Sequence, residues 1–218
     1  MKGLLMKDLK LLKNQKSFLV IVAVMCLVLL FRGQSPVFVM SYMSVMVTIL
    51  TTTTVSYDEM DNGMNFIFTF PISRRHYVLE KYLFGVLMMT GVIVAGSAVS
   101  MAVLATQSVT YDTQECIVGI FGALLSSVLF LAMMLPVQLK FGSEKTRIAM
   151  LILVGGVVLA AYAIRQLARL FSLDFSWLMI RIQQAGMVEL ILCALAAAVV
   201  ILGISYLISA AVMMKKQF

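Results

Sequence analysis

The chain has 218 residues, of which 62% are hydrophobic and only 12% charged, and its mean hydropathy is +1.03. That balance excludes a water-soluble domain and predicts an all-α integral membrane protein, a single transmembrane domain over residues 1–218. A net charge of +7 would favour nucleic acid in a soluble chain, but 13 of the 17 Lys and Arg residues fall in alternate loops, a positive-inside pattern that needs no nucleic acid.

Residues 1–16 place Lys2, Lys7, Lys10 and Lys13 on one arc of a helix and Leu4, Leu5, Leu9, Leu11 and Leu12 on the other. This predicts an interfacial amphipathic helix with its lysines toward anionic headgroups, the alternative being a plain basic lead-in. No small-residue cleavage pattern follows the apolar run behind it, so that run is read as retained.

Six uncharged apolar runs follow, at 17–31, 37–56, 83–110, 117–139, 148–164 and 190–214, each read as a transmembrane helix. The first and fifth are short and need help from snorkelling Lys16, Arg32, Arg147 and Arg165. Between the second and third runs lies a polar connector, 57–82, which holds the only histidine, His76. Its interior from Met64 to Phe70 is apolar but too short to span, which suits a segment lying on a surface. Pro71 stops that segment and Ser73 is placed to N-cap the next helix.

Lys and Arg concentrate before the first run, in the connector, in residues 140–147 and in the tail, which places both termini and the connector in the cytoplasm. On the outer side, 165–189 carries Leu167, Leu170, Phe171, Phe175 and Leu178 at helical spacing. An external amphipathic or re-entrant segment is expected there, with Trp177 at headgroup level.

No run contains Asp, Glu, Lys, Arg or His, so the ionisable coupling site common in ion-driven transporters is missing. Thr51 to Thr54 leave a sodium site of hydroxyls and carbonyls open, although hydroxyls bonding their own helix explain them more simply. One histidine and the scattered Cys26, Cys116 and Cys193 make neither a metal cluster nor a disulfide framework. No phosphate-cradling glycine loop occurs and little soluble chain exists to fold an ATPase. Any energy must come from another polypeptide.

Asp58-Glu59, then Thr69-Phe70-Pro71-Ile72-Ser73-Arg74, then Val78 and Lys81-Tyr82 resemble the signature of small type 2 ABC transporter permeases, and the opening Met1-Lys2-Gly3-Leu4-Leu5-Met6-Lys7-Asp8-Leu9 is similar to that family's start. Phe70 and Ile72 stand where the family usually has leucine and valine. The nearest likeness is to permeases of bacterial exporters for amphipathic peptides such as phenol-soluble modulins and bacteriocins. The resemblance implies a non-catalytic bacterial plasma-membrane subunit paired with a second permease, homodimer or close paralogue, and with two ABC ATPase subunits that hold the ATP and Mg; this chain itself carries no cofactor. It implies that the connector is a cytoplasmic coupling helix in which Asp58, Glu59, Asp61, Asn65, Phe66 and Phe70 face the ATPase, while Arg74 and Arg75 meet headgroups or a partner acid. It implies export of an amphipathic peptide or lipophile. Two other readings stay open: an interfacial enzyme using His76 with Asp58, Glu59, Asp61 and Glu80, and a peptide immunity or sensor component that does not transport.

Overall fold

The computed structural model describes residues 2–60, 63–107, 113–170 and 186–216. Among them there are seven helices and no strand: α1 Lys2–Asn14, α2 Lys16–Phe31, α3 Pro36–Glu59, α4 Gly63–Ile67, α5 Arg74–Gln107, α6 Thr113–Leu170 and α7 Met187–Lys215. The chain is all-helical, as the apolar runs demand.

Six spans were expected, and the described residues yield fewer. Four stretches are long and apolar enough to cross a membrane: Pro36–Glu59, Arg74–Ala102, Gly119–Gly142 and Val188–Lys215. A fifth is reached if α1 and α2, which meet at a 66° bend, count as one broken span. Alone, α2 has 16 residues, which at about 1.5 Å each reach roughly 24 Å across a hydrocarbon core of about 30 Å. The expected fifth run, 148–164, is helical but is not among the four. Residues 165–170 of the external segment close α6, and 171–185, Trp177 included, lie outside the described residues.

At the centre stands α3, which packs on α1, α2, α4, α5 and α6, while α7 packs on α5 and α6. Ser35 caps α3 by accepting from the Phe38 N–H at 3.3 Å, ahead of Pro36. Inside α3 the hydroxyls of Thr51, Thr52, Thr53 and Thr54 each donate to the carbonyl three residues back at 2.7 Å. The hydroxyl-rich turn thus spends its donors on its own backbone. Small residues let α6 approach: a Cβ at Gly119 would stand 2.5 Å from Val37 Cγ2 and 3.2 Å from Val37 Cβ, so the branched Val37 side chain blocks it.

The loop expected at 140–147 is instead helical, interrupted only at Gly142 with φ 74° and ψ 172°. That left-handed value favours glycine, and it divides α6 into two rods. Nearly two helical turns before the break, Pro136 lacks the N–H that would bond the Ala132 carbonyl. Ser205 of α7 donates to that carbonyl at 2.7 Å, and the Tyr82 hydroxyl of α5 bonds Ser205 at 2.5 Å and Ser209 at 2.8 Å. The proline therefore opens a socket that joins α5, α6 and α7. Leu139, just before the break, finds a donor in Lys216 Nζ at 3.2 Å.

Gly119→Ala is expected to destabilise the bundle by about 1–3 kcal/mol, the usual cost of overpacking. Adding Val37→Ala should restore most of it; thermal unfolding in detergent, with no recovery in the double variant, would show that the α3/α6 approach is not the cause.

Candidate functional site

The connector contributes two unlike faces to one end of the bundle. On α4, Met64 and Ile67 are buried in the cluster that includes Val55, Val78, Leu135, Leu139 and Met213. Asn65 and Phe66 point away from it, and Phe66 meets Phe70 edge-on with ring centroids 5.3 Å apart. Phe66 is 66% exposed and Phe70 51%, with Met60 exposed beside them in the chain. Ser73 caps α5 as its position predicts, since its hydroxyl accepts from the His76 N–H at 3.3 Å.

Beneath this face lies a buried ion cluster. Lys81 of α5 has only 1% of its side chain exposed, and its Nζ lies 2.5 Å from Asp8 Oδ2 of α1, 2.8 Å from Asp58 Oδ2 of α3 and 3.2 Å from Thr54 Oγ1. Those three acceptors use the three donors an ammonium has. Lys7 bonds Asp58 Oδ1 and lies 3.4 Å from Asp8 Oδ1, and the Tyr77 hydroxyl donates to Asp58 Oδ2 at 2.9 Å. Ions taken out of water survive only when attraction and hydrogen bonds together offset desolvation, which this geometry provides for Asp58 and Lys81. Glu80 is different. It is fully buried, its nearest cation is Lys81 at 4.0 Å, and neither of its carboxylate oxygens has a hydrogen-bond partner.

Several expected positions change. Asp58 was expected to face a partner; it is buried, because Lys7, Tyr77 and Lys81 claim both of its oxygens. Glu59 pairs with Lys216 at 2.8 Å, at the break in α6. Arg74 donates to the terminal carbonyls of α7, at 3.2 Å on Met213, 3.0 Å on Met214 and 2.7 Å on Lys216, so it serves as that helix's C-cap. Asn65, Phe66, Phe70 and Arg75 are exposed, and Asp61 lies outside the described residues. His76 is exposed and its Nδ1 bonds Ser73 at 2.6 Å, whereas Asp58 and Glu80 turn into the bundle, so among the described residues these two acids do not gather around the histidine. Lys7, expected at the headgroups, is drawn into the ion cluster. Asp8 was read only as part of the family-like opening, with no role of its own, although it sits between Leu4 and Leu12 on the buried stripe of α1. An acid at the middle of an i, i+4, i+8 apolar row is the signal that marks it.

A family model described as ABC-2 family transporter protein matches residues 3–214, nearly the whole chain. The chain belongs to the ABC-2 transporter family. It is thus the permease subunit of an ABC transporter, a multi-pass membrane component whose family implies a separate ABC ATPase. Neither a curated protein nor a solved structure gives a match to this permease.

Removing Lys81 would strand the acids it holds. Lys81→Met is expected to cost the permease about 3–5 kcal/mol, as breaking a buried pair does, while Glu80→Met should leave stability unchanged or raise it. Equal losses for the two variants in thermal unfolding would refute this division of roles.

Proposed function

We propose that this permease is one half of an ATP-driven exporter of amphipathic peptides or lipophilic compounds, working as a pair of permease chains on a pair of ATPase subunits. The observation that carries the docking assignment is the two-faced connector: Phe66 of α4 and Phe70 just after it stand exposed while Met64 and Ile67 of α4 are packed in the bundle core. Exposed aromatics at the centre of a patch are what anchor protein interfaces. The docking surface is therefore assigned to Asn65, Phe66, Phe70 and Arg75, with Asp61 next to them in the chain. Asp58, Glu59 and Arg74 act behind it, as the groups that fix α1, α6 and α7 to the connector.

Closure of the ATPase pair on ATP would press on Phe66 and Phe70. Met64 and Ile67 would carry the displacement to Val55 on α3 and Val78 on α5. The ions shared by Asp8, Asp58 and Lys81 oblige α1 to follow. Such a push changes the bundle only if the connector binds the two ATPase states unequally. Outward movement of an amphipathic or lipophilic cargo is supported by the resemblance to peptide exporters and by the lack of charge in the apolar runs. With the positive-inside pattern, the connector and both termini are assigned to the cytoplasm of a bacterial cell.

The double variant Phe66→Ala/Phe70→Ala should reduce ATPase recovered with the permease at least tenfold, as loss of about 2 kcal/mol or more at anchors implies, without lowering the unfolding temperature. Undiminished co-purification together with intact substrate-stimulated hydrolysis would remove α4 from the interface. His76→Ala should leave transport nearly unchanged; its collapse would favour the enzymatic reading.

A further inference from the structure

The break at Gly142 does more than divide α6. Val137 and Phe141 before it, with Lys145, Ile148, Ala149 and Ile152 after it, line an open groove of about 500 Å³. Its walls are apolar except for Lys145, and Phe141, Ile148 and Ile152 are themselves exposed. Lys140 stands at its edge with Nζ 5.2 Å from the centroid of the Phe141 ring, a cation–π contact that keeps the ammonium beside the groove. The apolar stretch Gly119–Gly142 ends at this break, so the groove opens where hydrocarbon gives way to headgroups.

We propose that this groove is a binding site for an anionic phospholipid, with an acyl chain against Phe141, Ile148 and Ile152 and the phosphate between Lys140 and Lys145. Charge complementarity selects the occupant. Both lysines are exposed, and neither joins an ion pair among the described side chains, which do not include that of Glu144 between them. A zwitterionic lipid would satisfy the walls but not the cations, and basic pockets beside spanning helices retain acidic headgroups for this reason.

The full-length permease, placed in nanodiscs of equal parts dioleoylphosphatidylglycerol and dioleoylphosphatidylcholine and released for native mass spectrometry, should retain phosphatidylglycerol in excess. Lys140→Gln and Lys145→Gln should each lower that retention about fivefold, the factor that about 1 kcal/mol per lysine near a charged surface represents. Ala149→Trp, which fills the groove and keeps the lysines, should lower retention of both lipids, and Lys215→Gln on α7 should change nothing. Equal retention of the two lipids by the unaltered protein would overturn the proposal, as would phosphatidylglycerol retention untouched by the two lysine variants. A cysteine placed at Ile152 that cross-links two copies in the nanodisc would assign the groove to a second permease chain and overturn it likewise. A photo-reactive residue at Ile148 that captures added amphipathic peptide and no lipid would do the same.

Discussion

An ammonium ion held almost wholly out of water sets the terms for this protein. Lys81 must be answered by anions from other helices or its burial would cost several kcal/mol, and the answers come from α1 and α3. Three segments far apart in sequence are thereby fixed at one point. The hydroxyls of Thr54 and Tyr77 finish the arrangement, so the cluster depends on donors and acceptors as much as on charge. Apolar packing sets how the spans lie against each other. The ion cluster decides which end of the bundle they share.

The other end of the same logic is seen in α6 and α7. Backbone carbonyls with no partner are costly in a medium without water, so each irregularity in a spanning helix needs an outside donor. Pro136 is answered by Ser205 of α7 and the break at Gly142 by Lys216, the residue that follows α7. In return α7 has its own last carbonyls capped by Arg74 at the head of α5. A helix whose composition looks like featureless lipid-facing filler is thus tied to the rest by polar bonds. The connector, the α6 break and the end of α7 meet around Glu59 and Arg74, which makes that corner a mechanical junction of the permease.

Much of this was legible before the structure. Unbroken apolar runs fix the helices, and the spacing of Pro71 and Ser73 places the stop and the cap of the connector. The hydroxyl-rich turn of α3 behaves as hydroxyls in a helix usually do. What stayed hidden depends on partners. Asp58 looks like a surface acid in a polar connector, and only the approach of Lys81 from the next helix and Lys7 from the first turns it inward. Gly142 sits in a charged stretch that reads as a loop, yet a single residue in the left-handed region is enough to change direction while helix continues on both sides. Run length also misleads at α2, whose shortness becomes intelligible once α1 leaves it at a steep angle.

The separation of Asp8 from Lys81 has a consequence for how the chain is made. They are 73 residues apart, and at about 5–20 residues per second a ribosome takes roughly 4–15 s to cover that interval. Until it ends, Asp8 has its neighbour Lys7 but not the buried ammonium that fixes α1 to α5. The tie between α1 and α5 therefore forms only after α2, α3 and α4 have been made, so the seating of an earlier helix is completed by a later one.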